Sequence, residues 1–182
     1  MRRIYLIHGF ESSPNKHWFK WLKNTALNDN IEVTILEMPN SSNPKLSSWI
    51  EKMQNDIKSL DSEVYLIGHS LGGISILRFI ETISVDSNIG GFILVSGFCE
   101  PLPELPILDE FTKEKLNVDK IKKIAKNRVI IAAKDDYIVP YYMSENLAKK
   151  IDAKFILLEK GGHFMQEDGV LELPILYNLI KN

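Results

Sequence analysis

A single cysteine, Cys99, leaves no partner for a disulfide within the chain. That suits folding in a reducing compartment, and a cytoplasmic location is the expectation. No Cys-His motif surrounds Cys99, so it reads as a buried or half-buried bystander rather than a nucleophile. Long apolar runs are missing as well. No stretch approaches the ~20 residues a helix needs to cross a bilayer, so no membrane partner is expected. The apolar run Ile4 to Ile7 is too short for the core of a secretory signal and reads as a first strand. Neither sign of charge dominates. With 22 Lys and Arg against 24 Asp and Glu the net charge is −2, and no basic face marks a nucleic-acid partner. The densest lysine cluster, residues 113–126, is interleaved with Glu114 and Asp119 and reads as a solvated helix face. Internal repeats and low-complexity tracts are absent, and nothing calls for a metal or another cofactor.

What is there is an ordinary globular balance, 45% hydrophobic and 25% charged over 182 residues. This is enough for one domain with a sizeable core, expected over residues 1–182. Six short apolar runs read as strands: Ile4–Ile7, Ile31–Leu36, Val64–Ile67, Phe92–Val95, Val129–Ala133 and Phe155–Leu158. Most are uninterrupted, as in strands covered on both faces. Amphipathic segments lie between them: His17–Asn28, Leu46–Leu60, Ser70–Ile83, Met143–Ile151 and a last one ending near Ile180. Such alternation predicts an α/β fold, a parallel sheet with helices on both faces. The irregular stretch is residues 97–117, which carries Pro101, Pro103 and Pro106 among apolar residues. A connection of this length is either a small lid or a decorated surface loop.

One short motif stands out. Gly68-His69-Ser70-Leu71-Gly72 follows the apolar run Val64–Ile67 and precedes a helical pattern. Strand, Gly-x-Ser-x-Gly turn and helix in succession are the setting in which a serine is pushed out at the end of a strand as a nucleophile. The following helix aims its first N–H groups at the same spot, which suits developing negative charge.

A serine hydroxyl needs a base, and the base an orienting acid. Four histidines are candidates. His69 is adjacent to Ser70 and turned away by the sharp bend, so it reads as structural. His8 ends the first strand beside Gly9 and is expected to brace the neighbouring loop, with the role of base as its lesser alternative. His17, beside Trp18, reads as surface or packing. His163 sits in Gly161-Gly162-His163-Phe164 just after the last strand, over the carboxyl edge of the sheet, and is read as the base. The acid falls in Lys134-Asp135-Asp136. Asp136 stands three residues before Val139 and is preferred. Asp135 is the alternative, with bracing the turn as its competing role, and Glu100 is a more distant one. The order Ser70, Asp136, His163 is that of α/β-hydrolases, and each residue follows a different strand at the sheet edge where parallel sheets place their sites. For the oxyanion the backbone N–H groups of Leu71 and Phe10 are expected to donate. Phe10, Trp18, Phe98 and Phe164 are candidates for lining an acyl or leaving-group pocket, with core packing as the competing role of Trp18.

Together these residues resemble a known family. Ile7-His8-Gly9-Phe10, His17-Trp18-Phe19-Lys20-Trp21-Leu22, Met38-Pro39-Asn40, the serine motif, Leu94-Val95-Ser96-Gly97-Phe98, Asp135-Asp136 through Val139-Pro140, and Gly161-Gly162-His163-Phe164 span nearly the whole chain. They are similar to the small serine hydrolases of the YdeN and retinoblastoma-binding-protein type, within the α/β-hydrolase superfamily. The resemblance implies a minimal α/β-hydrolase without a large cap. Its sheet would be six-stranded and parallel, in chain order 2-1-3-4-5-6, with Ser70, Asp136 and His163 as catalytic triad. The function so implied is hydrolysis of a small-molecule carboxylic ester, with thioester or peptide cleavage, or a non-catalytic protein-binding role, as rivals.

Overall fold

The first strand, β1 (Arg3–Ile7), already shows how the sheet is covered. Ile4 and Leu6 point into one hydrophobic cluster and Ile7 into another. The computed structural model describes residues 1–181; Asn182, the last residue of the domain expected from the sequence, lies outside the described residues. Five further strands follow: β2 (Glu32–Leu36), β3 (Val64–His69), β4 (Ile89–Val95), β5 (Ala125–Ala133) and β6 (Lys154–Leu158). All pair in parallel, in the order β2-β1-β3-β4-β5-β6. The central strands repeat the two-residue alternation. Phe92 and Leu94 face one side, Ile93 and Val95 the other.

Seven α-helices fill the two sides: α1 (Phe19–Ala26), α2 (Leu46–Asp56), α3 (Leu71–Thr82), α4 (Asp109–Thr112), α5 (Val118–Ile124), α6 (Tyr141–Ile151) and α7 (Pro174–Lys181). Helices α1 and α7 bury Phe19, Leu22, Leu176 and Ile180 on one face. Trp49 of α2, Ile74 and Leu77 of α3, Ile121 of α5 and Leu147 of α6 cover the other. Helix α3 runs behind the centre of the sheet and is buried from Leu71 to Ile80, which explains why its sequence is apolar on every side. Among the described residues no helix is long and apolar enough to cross a membrane.

The predicted strands all form. Most begin earlier than their apolar runs suggest, because polar residues such as Asn127 and Arg128 still pair at the amino edge. The expected helix over 46–60 stops at Asp56. In the 97–117 connection Leu102, Leu108 and Phe111 are buried, and α4 forms within it. Arg78 of α3 secures this segment from beneath. Its Nε donates to Phe111 O at 2.9 Å, a terminal nitrogen donates to Glu114 O, and the other pairs with Glu81 at 2.9 Å.

Replacing Arg78 by Met should keep the aliphatic packing but leave two carbonyls without donors. We expect a stability loss of about 2 kcal/mol, mainly from the buried Phe111 carbonyl at ~1–3 kcal/mol, since exposed Glu114 can be rehydrated. Urea unfolding measures it, and limited proteolysis should then cut first within 97–117.

Candidate active site

Ser70 sits between β3 and α3 with φ 53° and ψ −120°, a backbone conformation that residues with a side chain rarely adopt. The surroundings enforce it. Ser70 N–H donates to Val95 O at 2.9 Å, and Ser70 O accepts from Gly73 N–H at 2.8 Å. The two motif glycines serve close approach rather than positive φ. A Cβ on Gly68 would lie 2.6 Å from Gly73 N, and one on Gly72 would lie 2.1 Å from Ile7 O. The carboxyl end of β1, the turn and the start of α3 are thus in direct backbone contact, with Leu71 N–H at the helix start.

The loop after β1 abuts the same turn: a Cβ on Gly9 would be 3.1 Å from Ser70 Cβ and 3.7 Å from Leu71 N. His8 fixes this loop. Met38 N–H donates to its Nε2 at 3.0 Å, so Nδ1 carries the proton and donates to Gly9 O at 2.9 Å. Burial lowers the His8 pKa and keeps the ring neutral, as this pairing requires. In a trans peptide the Gly9 C=O and the Phe10 N–H point in opposite directions, so the bond turns Phe10 N–H away from His8.

Asp136 follows β5 and is buried. Its Oδ1 accepts from Ile138 N–H and Val139 N–H, both at 2.9 Å, and its Oδ2 from the Ser96 hydroxyl at 2.7 Å. Both oxygens lie 3.0 Å from His163 Nδ1. This carboxylate therefore gathers the turn after β5, the end of β4 and the loop after β6. The loop that carries His163 is itself pinned. Asp168 Oδ2 accepts from His163 N–H at 2.9 Å and Met165 N–H at 3.1 Å, and Asp135 Oδ1 accepts from Gly162 N–H at 2.9 Å. Gly162 has φ +54°, and a Cβ there would be 2.5 Å from the Asp168 carboxylate.

His69 joins the two halves of the site. Its Nε2 donates to His163 O at 2.8 Å across 94 residues of sequence, and its ring lies 5.0 Å from that of His163. His17 extends the row, 5.3 Å from His69. Its Nδ1 accepts from Gln166 N–H at 3.1 Å, and its Nε2 faces the Ser12 hydroxyl at 3.2 Å. A cleft of about 310 Å³ opens above Ser70, with His163, His17, Gly9 and Phe10 on its walls. Ser70 and His163 share this cleft without a hydrogen bond joining their side chains. Such bonds often tighten only around a substrate.

Ser70, Asp136, His163, Phe10 and Leu71 are therefore brought to one rim. The aromatic pocket candidates are not. Trp18 and Phe98 are fully buried and Phe164 is 1% exposed, and none lines the cleft, whose aromatic residues are Phe10 and the histidines. The helical and loop positions of these three point their rings into the core, and large apolar rings gain most from full burial. His17, expected at the surface or in packing, does pack against Phe19 but also forms cleft wall. Glu100 lies outside the cleft, with Lys150 3.9 Å away, and Cys99 is buried beside the same lysine. Sequence reasoning gave no role to Ser96 or Asp168. Ser96 had one legible sign, its place directly after β4 at the carboxyl edge. Asp168 had its spacing five residues beyond His163.

Comparison with known proteins shows the family and the fold. A family model for serine hydrolases matches residues 4–182. YdeN of Bacillus subtilis (strain 168) is 43% identical over 181 residues, covering 100% of this chain and 95% of YdeN. The crystal structure of the Bacillus subtilis ydeN gene product superposes with a TM-score of 0.96, covering 99% of this chain and 97% of that one. The serine hydrolase RBBP9 of Rattus norvegicus is 25% identical over 153 residues, covering 83% of this chain and 80% of RBBP9. Est1E from Butyrivibrio proteoclasticus, at 17% identity and a TM-score of 0.75 over 99% of this chain and 85% of its own, shares the fold.

His17 makes stability depend on pH. Burial pushes the His17 pKa down to about 4, with Lys16 lowering it further and Glu167 working against the shift. In the unfolded chain the value returns to about 6.5, so unfolding takes up a proton as pH falls from about 6.5 to about 4. Stability drops over that window, by about 1–2 kcal/mol from His17 once the partial solvation of the ring is allowed for. In His17→Asn, which tolerates the φ of 57° at this position, that share of the slope should vanish in urea titrations at pH 7, 5.5 and 4.5.

Proposed function

The chain belongs to the serine hydrolase family, and on that premise we propose that it hydrolyses carboxylic esters with small or medium acyl groups through an acyl-enzyme. Ser70 is the nucleophile, His163 the general base and acid, and Asp136 the orienting acid. The reading is carried by one observation: a serine held at φ 53° on the floor of a cleft, facing an imidazole whose Nδ1 is bound by a buried carboxylate at 3.0 Å.

Ser70 Oγ attacks the ester carbonyl carbon as its proton passes to His163 Nε2. The carbonyl oxygen becomes an oxyanion, stabilised by the N–H groups of Leu71 and Phe10. Asp136 keeps the Nδ1 proton in place and stabilises the imidazolium. Collapse of the intermediate breaks the bond to the alcohol oxygen, which leaves with the proton from Nε2. Water then attacks the acyl-enzyme with the same assistance, releasing the acid and Ser70. His8 supports this geometry through Gly9, and His69 through the His163 carbonyl. A cytoplasmic site of action belongs to the same reading, supported by the lone cysteine.

Ser70→Ala should lower kcat/KM on an activated ester by about 10⁴-fold or more, with an unchanged circular dichroism spectrum. A fluorophosphonate should label Ser70 of the native protein, mapped by peptide mass spectrometry. Retained activity in the variant sinks the mechanism, and no adduct under native conditions favours a binding role on a hydrolase fold. Faster turnover of matched thioesters or amides would reassign the substrate class. Asp136→Asn should lower kcat by about 10⁴-fold with little change in KM, because the amide can hold the imidazole with its proton on the wrong nitrogen.

A further inference from the structure

The cleft above Ser70 has two unlike ends. One is polar, with Lys16, His17 and Glu167 beside Met165. The other is made by Leu105, Leu108 and Ile138. Beyond that apolar wall lies a second cavity, of about 440 Å³, between the 97–117 segment and the turn leading into α6. The two cavities share Leu105 and Ile138. The far cavity is floored by Leu102 and Met143 and flanked by Tyr137 and Tyr142, which are 64% and 55% exposed. Its one charged residue is Glu104. Exposed tyrosines beside a ligand-sized apolar hollow fit a binding surface better than a solvated face.

The walls are set before any ligand arrives. Ile138 N–H is held by Asp136 at 2.9 Å, and Val139 next to it is buried. Leu105 N–H bonds Leu102 O at 2.8 Å, and Leu108 N–H bonds Leu105 O at 3.0 Å. Both walls are held by backbone hydrogen bonds, and the groove adjoins the site of the proposed chemistry across Leu105 and Ile138.

We infer that this groove is the acyl-chain subsite, and that the substrates are esters of uncharged acids with an extended apolar arm, alkyl or aryl. The assignment rests on the ester hydrolase reading above. In that chemistry the leaving oxygen takes its proton from His163. Met165 and Glu167, on the loop of His163, and His17 form the polar end, so the alcohol lies there and departs to water. The acyl carbon's other substituent then points at Leu105, Leu108 and Ile138, and its distal atoms reach the groove. Glu104 at the mouth repels an acyl arm that ends in a carboxylate, so half-esters of dicarboxylic acids are poor substrates.

The test uses p-nitrophenyl esters of acetate, butyrate and octanoate, together with the mono-p-nitrophenyl ester of suberate. Because each methylene buried in the groove adds apolar contact, kcat/KM should rise by about tenfold or more from acetate to octanoate. The suberate half-ester should run about tenfold or more below octanoate. Glu104→Lys should reverse the second ratio and lift suberate above octanoate, a gain that general damage to the fold does not produce. Tyr142→Asp should flatten the chain-length series. Acetate turned over with no rise along the series overturns the groove while the hydrolase reading stands. A preference that follows the alcohol instead, in a parallel series of n-alkyl acetates, overturns its assignment to the acyl arm. No turnover of any ester, acetate included, overturns both.

Discussion

The site depends on one close contact, the packing of bare backbone where the first strand, the serine turn and the long buried helix meet. Gly72 lies against the carbonyl of Ile7, and Gly68 against the first turn of α3, with no room for a methyl group at either place. Because these segments touch, Ser70 is forced into its rare conformation and the Gly9 loop is pressed against it. The strain at Ser70 is offset by the cores on both sides of the sheet, since α3 is buried along nearly its whole length. Weakening that contact would let the serine relax and would separate both N–H groups expected at the oxyanion.

A second layer of order comes from carboxylates that collect loops. Asp136 binds main-chain donors of its own turn, the Ser96 hydroxyl and the His163 ring. Asp168 and Asp135 do the same for the backbone around His163. Loops that would otherwise be independent are thereby fixed relative to one another through short charged hydrogen bonds. The row His17, His69, His163 adds to this. His69 is buried, and burial keeps its pKa well below the ordinary value. The neutral ring can spend its Nε2 proton on the His163 carbonyl.

Much of this was legible in the sequence, because the strong signals there are physical. Uninterrupted apolar runs marked strands covered on both sides, and all six formed. The Gly-x-Ser-x-Gly turn between a strand and a helix marked the exposed serine, and the spacing from Asp136 to Val139 marked the preferred orienting acid. What was not legible depended on direction. Trp18, Phe98 and Phe164 sit next to site residues in sequence, yet their rings turn into the core, and proximity along the chain carries no information about which side a ring takes. His17 went the other way, reaching the cleft because its positive φ bends the chain before α1. Ser96 and Asp168 are small polar residues of kinds found in many turns. Only the folded neighbours single them out.

Ile138 gives the arrangement a consequence for its evolution. The amide that grips Asp136 belongs to the same residue whose side chain divides the cleft from the apolar groove. A change of bulk at 138 is felt by the carboxylate and, through it, by the imidazole, so tuning from that side trades selectivity against turnover. Leu105, on the opposite bank, belongs to a segment tied down through Arg78 and has no direct bond to the reacting groups. Substitution on the Leu105 bank thus touches selectivity alone, while substitution on the Ile138 bank touches both, an asymmetry written into which backbone each wall is hung from.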